Sequence, residues 1–299
     1  MAHDIVDELV KRLVEEITPI TEYFEIILVE DGSIDDSWLK IEENCQKDPR
    51  IKGLKLSRNF GQHYAITAGL IESTGDLVIL MDCDLQDNPK YIPDLINKHK
   101  QGFDIVYTVH NSRKHGVVKN FFATCFHSVF NWLVGSVELN SSGKVGTYSL
   151  LTKKVVNAFC EIKDYHRHYL SVLRWLGYSS SYILTDHELR FSGKTSYSFK
   201  KLVLLAIDGI ISQTDKLLRL NIYIGFFLSI VGFFSIIYIV IISISAEGFQ
   251  PGWASSMVLI IFSTGLILSS MGIIGLYIAK IFDQTKDRPL YLVDKKLNI

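Results

Sequence analysis

An α/β domain followed by two membrane-spanning helices is the architecture this sequence predicts, and three observations predict it. Strand-like and helix-like patterns alternate through the first part of the 299 residues, two long apolar runs occupy the last third, and two strands end abruptly in acid. In order, Asp7 to Ile17 has helical spacing, Phe24 to Val29 reads as a strand, Asp36 to Gln46 as a helix, Ile51 to Leu56 as a strand and His63 to Ser73 as a helix. Leu77 to Met81 is the next strand, Lys90 to Gln101 a helix opened by Asn88-Pro89, and Asp104 to Val109 a further strand. Lys119 to Gly135 follows as an aromatic amphipathic helix. Its Phe121, Phe122, Phe126, Phe130 and Trp132 either fill a core or meet a lipid surface, core being the commoner use of such a stripe.

Asn221 to Ser245 and Trp253 to Phe282 carry no charge before Lys280, and each exceeds the roughly 20 apolar residues that a bilayer core requires. The expected organisation is an α/β domain over residues 1–199, a juxtamembrane amphipathic helix over 200–219, spans at 220–245 and 253–282, and a tail over 283–299. The connector from Ala246 to Gly252 has no Lys or Arg, whereas Lys200, Lys201, Lys216 and Arg219 precede the first span and Lys286, Arg288, Lys295 and Lys296 follow the second. The positive-inside rule then places both termini and the α/β domain in the cytoplasm, and the chain as a multi-pass protein of the plasma (inner) membrane. Met1-Ala2-His3-Asp4 has no apolar leader character, so no signal peptide is expected. Cys45, Cys83, Cys125 and Cys160 fall at no metal or disulfide-framework spacing and read as reduced packing residues. A net charge of -1 and the lack of a recognition motif give no reason to expect nucleic acid.

The run Leu77 to Met81 ends in Asp82-Cys83-Asp84, with Asp87 following, and the run Phe24 to Val29 ends in Glu30-Asp31-Gly32-Ser33. Carboxylates do not end a core strand for packing reasons. At spacing two, Asp82 and Asp84 point the same way and can share a hard cation at the carboxyl edge of an α/β sheet, where nucleotides bind.

EDGS (Glu30 to Ser33) and DCDLQD (Asp82 to Asp87), joined by LSRNFGQHYAITAGL (Leu56 to Leu70), resemble the family 2 glycosyltransferases of the GT-A fold. Among these the chain is most similar to the polyprenyl-phosphate glycosyltransferases, the group of dolichol-phosphate mannose synthase and the bactoprenol glucosyltransferases. The likeness runs from about Asp4 into the membrane segments. It implies inverting transfer of a sugar from a nucleotide-sugar, UDP-sugar favoured over GDP-sugar, to a polyprenyl phosphate in the lipid bilayer, with a flippase partner or a homo-oligomer compatible with it. It also implies Mg²⁺ or Mn²⁺ at Asp82 and Asp84, with Gln86 as a further ligand. Asp31 is expected to accept from the base or ribose, Ser33 to cap the following turn, and Arg58 to hold the nucleotide or its sheet edge. Arg190 and Lys194, in LRFSGKTSYS, match the family's Arg-x-x-Gly loop, and the Arg190 fork suits a phosphate. Arg113, Lys114 and Lys119 are either a second phosphate-binding set or a solvated basic face. The letters GKTS are not a P-loop, because Glu188 stands where that motif needs glycine.

Three departures accompany the resemblance. Family members begin with a strand ending in Pro-x-Tyr-Asn-Glu, whereas this chain opens inside the helix that follows it, so the sheet is expected to lack its first strand through late initiation or truncation. Where relatives have Gly-Asp-Phe-Arg, this chain has Gly146-Thr147-Tyr148-Ser149, without the carboxylate. A hydroxyl acceptor would miss that base, while a phosphate acceptor is already ionised near neutral pH. The Gln-x-x-Arg-Trp motif of processive synthases is matched only in part, with Ser171 in the first place before Arg174-Trp175. A transferase with a polysaccharide or other lipid acceptor, and a catalytically impaired membrane adaptor, are the competing readings.

Overall fold

The computed structural model describes residues 3–110, 144–186, 216–245 and 252–299. The chain divides into two compact units, one of Met1–Gly116, Glu138–Ser196 and Arg288–Ile299, the other of Val117–Val137 and Tyr197–Asp287. The first unit contains α1 (His3–Ile17), β1 (Ile26–Glu30), α2 (Ser37–Lys47), β2 (Ile51–Leu56), α3 (Gln62–Glu72) and β3 (Leu77–Leu80). A 3₁₀ turn at Pro89–Tyr91 leads into α4 (Ile92–His99), followed by β4 (Ile105–His110), β5 (Lys144–Thr152), α5 (Lys153–Glu161), α6 (Tyr169–Leu176), β6 (Ser180–Thr185) and the C-terminal β7 (Val293–Leu297).

The strands form two sheets, one in the order β1-β2-β7 and one in the order β3-β5-β4-β6. β1 and β2 are parallel with Ile26 opposite Ile51, β4 and β6 are parallel, and β5 runs antiparallel to both β3 and β4. Leu150 and Leu151 of the central β5 are fully buried, as expected for a strand covered on both faces. Where one sheet short of a strand is expected, the described residues show a break between β1 and β3. Side chains span it. Glu25 accepts from the Thr74 backbone N–H at 2.7 Å and the Thr74 hydroxyl at 2.9 Å, and Lys52 pairs with the same carboxylate at 2.6 Å. Apolar layers cover both pieces. Ile5, Leu9 and Leu13 of α1 pack with Ile26 and Leu28 of β1 and with Ile79 and Met81 at β3. On α3, Ala68 packs with Leu54 and Leu56 of β2 while Ile66 and Leu70 join the core of the four-stranded sheet.

β7 lies in the segment read as a tail. It pairs antiparallel with β2, Gly53 opposite Leu297, and Asn298 donates to the Cys45 and Ile51 carbonyls, both at 2.8 Å. Lys296 reaches Glu72 at 2.5 Å. The expected helix from Lys90 to Gln101 is split, because Pro89 and Pro93 each restart the backbone at a first turn, where a missing N–H costs nothing.

The second unit contains α7 (Lys216–Ser245) and α8 (Trp253–Thr285), of 30 and 33 residues, long and apolar enough to cross a membrane. Phe226, Phe233, Leu268 and Met271 among others lie exposed, and Ser270 donates to Asn221 at 2.7 Å. The expected helix from Lys119 to Gly135 and most of the juxtamembrane helix lie outside the described residues.

Candidate functional site

The carboxyl ends of β1 and β3, the loop before α3 and the middle of β5 meet at one edge of the first unit. β1 delivers Glu30, which is 4% exposed and accepts the Ser33 N–H through one carboxylate oxygen, closing a tight turn. Ser33 takes part in this turn through its backbone N–H. Gly32 occupies φ 66°, and a Cβ on it would lie 2.2 Å from the Asn59 nitrogen and 2.3 Å from the Arg58 carbonyl carbon. Only glycine allows this turn to press against the loop.

Asp31 holds that loop. Its Oδ1 accepts the Phe60 N–H at 2.7 Å and its Oδ2 the Gly61 N–H at 2.8 Å, so both oxygens are engaged by backbone. The Arg58 guanidinium stacks over the Phe60 ring at 4.2 Å and donates to the Asn59 carbonyl. Gln62, the first residue of α3, follows directly. Its Nε2 donates to Asp82 Oδ1 at 2.8 Å, and Thr147 of β5 donates to Asp82 Oδ2 at 3.2 Å. The Asp82 carboxylate is therefore oriented by two neutral donors, and no described Lys or Arg forms an ion pair with it.

Past Asp82 the chain turns sharply. The Gln86 N–H bonds Asp84 Oδ1 at 3.1 Å, and Leu85 takes φ 57°, a conformation costing a branched residue about 1 kcal/mol or more, while its side chain is buried among α1 and α4 residues. This turn places Asp82, Asp84 and Asp87 in mutual electrostatic range. Burial, then the Asp82 and Asp84 charges, push the Asp87 carboxyl up to about 7. Burial is also the first cause that raises Asp82, with Asp84 adding to it and the Gln62 and Thr147 hydrogen bonds opposing it.

A histidine pair borders the site. His63 lies beside His168 with ring centroids 4.4 Å apart, and burial, then the His168 and Arg167 charges, push His63 down to about 4. Its Nδ1 accepts the Tyr169 N–H at 3.4 Å, as a neutral imidazole can.

The structure thus brings Asp31, Ser33, Arg58, Asp82, Asp84 and Gln86 into one region, while Arg113, Lys119, Arg190 and Lys194 lie outside the described residues. Gln62, His63 and His168 were not singled out from the sequence. The only signal for Gln62 was a polar residue at a helix start directly after the RNFG segment. Thr147, which stands where relatives have a carboxylate, donates its hydroxyl to Asp82, and Tyr148 beside it is fully buried with its hydroxyl on the Asn88 carbonyl. Of the cysteines read as packing residues, Cys45 is buried, Cys160 half-buried and Cys83 exposed on the acidic turn, and Cys125 lies outside the described residues.

A family model described as "Glycosyl transferase family 2" matches residues 3–167. An uncharacterized glycosyltransferase of Synechocystis sp. is 36% identical over 97% of this chain and 91% of its own length. The uncharacterized glycosyltransferase YkcC of Bacillus subtilis is 32% identical over 99% of this chain and 91% of its own. Among solved structures, glucosyl-3-phosphoglycerate synthase from Mycobacterium tuberculosis in complex with UDP is similar over 69% of this chain and 74% of that one, at 14% identity and a TM-score of 0.44.

Proposed function

The chain belongs to glycosyl transferase family 2, and on that premise we propose that it moves a sugar from a nucleotide-sugar, UDP-sugar favoured, to a polyprenyl phosphate at a membrane. The observation that carries this reading is the edge where Asp31 holds the Phe60 and Gly61 N–H groups and the next residue, Gln62, joins Thr147 in bonding Asp82, because it orients Asp82 with no ion pair to a Lys or Arg among the described residues. Asp31 faces the base or ribose in this reading, Arg58 the nucleotide or its sheet edge, and Arg190 with Lys194, and Arg113 with Lys119, the phosphates.

The donor set fits Mg²⁺ or Mn²⁺: Asp82, Asp84 and Gln86 offer only hard oxygen ligands. Among the described residues no group of three or more His, Cys, Asp or Glu side chains is placed to hold a metal ion by itself. When bound, the cation supplies charge to the departing diphosphate. The protein's own part is to fix Asp82 through Gln62 and Thr147 and to hold the turn through Asp84.

Thr147 bears on the acceptor. It cannot take a proton from a sugar hydroxyl, but a phosphate monoester, with a second pKa of about 6, needs no base and attacks with inversion. Two long apolar helices and the flanking Lys and Arg residues support a membrane anchor with both ends cytoplasmic. β7 supports an even number of spans, because the chain that follows α8 returns to the sheet of the unit it left. The break between β1 and β3 favours one second reading, a weakly active membrane adaptor.

The test supplies the full-length protein in membranes with radiolabelled UDP-glucose, undecaprenyl phosphate and Mn²⁺. Label in a chloroform-soluble product is the expected result. Label in a water-soluble polymer overturns the acceptor, and no release of sugar from UDP- or GDP-sugars under any metal condition overturns the enzyme in favour of the adaptor.

A further inference from the structure

We propose that Gln62 is a positioning residue that couples nucleoside binding at the end of β1 to cation binding at the end of β3. This rests on the nucleotide and cation reading above. β1 and β3 belong to different sheets, so no backbone ladder fixes one acidic end against the other. Three consecutive residues do so instead. Phe60 and Gly61 donate their N–H groups to the two Asp31 oxygens at 2.7 and 2.8 Å, and Gln62 donates its side-chain amide to Asp82 at 2.8 Å.

The chemistry of Gln62 suits coupling. An ionised carboxylate only accepts, so the amide nitrogen must face Asp82. That bond orients the carboxylate without cancelling its charge, as a Lys or Arg would. Gln62 is exposed, so its side chain serves no core, and Thr147 still holds Asp82 when Gln62 is changed. A base or ribose donor that shares Asp31 with Phe60 and Gly61 alters the bonds holding the two residues before Gln62, and the displacement reaches Asp82 through one side chain.

A nucleoside without phosphates isolates this path, because it has no group that touches a cation near Asp82. Mn²⁺ binding to the full chain in detergent is read from the free Mn²⁺ paramagnetic resonance signal, with and without saturating uridine, and with guanosine in parallel. In the wild type one nucleoside should tighten Mn²⁺ about fivefold, within the usual range of coupling between sites. Gln62→Met, close to isosteric, and Gln62→Leu should reduce that factor below about twofold while leaving nucleoside affinity in metal-free buffer within about twofold. Wild-type binding of UDP and Mn²⁺ with no nucleoside effect on the metal overturns the inference alone, as does coupling that survives both substitutions. A wild type that binds neither Mn²⁺ nor any nucleotide overturns this inference together with the function it rests on.

Discussion

At the end of β1 an acidic pair is turned onto backbone, Glu30 to Ser33 and Asp31 to Phe60 and Gly61; at the end of β3, Asp82 is held by two neutral side chains and Asp84 by the amide two residues on. Both strands read alike in the sequence, as apolar runs stopped by acid. Their carboxylates nonetheless do different work: those of β1 fasten a loop, while those of β3 gather charge at a turn, with Asp87 pushed up to about 7 by burial and its two acidic neighbours. An acid-tipped strand therefore does not by itself specify the work of each carboxylate. The hydrogen-bond partners decide that.

The comparison can be broken most sharply at Gly32. Gly32→Ala puts a methyl 2.2 Å from backbone at a positive φ and should cost about 3 kcal/mol or more, measured by chemical denaturation in detergent. A variant as stable as wild type would show that the β1 turn is loosely set. Next in size is Asp84→Asn. The amide oxygen can still accept the Gln86 N–H, so the turn should persist and the variant stay folded, with a stability change within about 1 kcal/mol. Sugar transfer should fall about a hundredfold or more, the loss typical of a group that acts on developing charge. Asp31→Asn should show a different balance, losing about 2 kcal/mol of stability, because one of two charge-assisted bonds becomes an N–H facing an N–H. If Asp31→Asn were as stable as wild type and Asp84→Asn unfolded, the roles assigned to the two ends would be reversed.

A separate effect concerns pH. In metal-free protein Asp87 has its folded value raised to about 7 from 3.8 unfolded, so the folded state binds the proton more tightly. Its contribution is complete below the unfolded value and is lost as pH rises through about 7. Stability should decline between these limits by at most about 1.4 kcal/mol per pH unit from this group. Asp87→Asn, which cannot ionise, should flatten that slope, and an unchanged slope would assign the dependence to another carboxylate.

How far the fold could be read follows the same physics. β1, β2, β3 and α3 carry their own apolar patterns and were legible to within two residues at most ends. β7 was not, because Val293-Asp294-Lys295-Lys296-Leu297 is charged. It forms through pairing with β2, with Lys295 at 3.6 Å from Glu42 and Lys296 at 2.5 Å from Glu72. β5 escaped for a related reason, since the polar Ser149 is buried in it with its hydroxyl bonded to the Thr147 carbonyl at 2.8 Å and to the Tyr169 hydroxyl at 2.7 Å, and α5, α6 and β6 were not read from their patterns either. At the site, Asp82 and Asp84 stood out as acid closing an apolar run, but the spacing argument assumed a strand, and β3 ends at Leu80 with both residues in the turn beyond it. Gln62 was not legible, because its role depends on a residue 20 positions away that only the fold brings near.

Mn²⁺ binding to the full-length chain in the presence of UDP, compared between wild type and Asp84→Asn at equal folded concentration, tests the central claim that the end of β3 holds the cation serving the nucleotide. The account predicts saturable uptake by the wild type and affinity at least about tenfold weaker in Asp84→Asn. Equal uptake by both proteins, or uptake by neither, would contradict it.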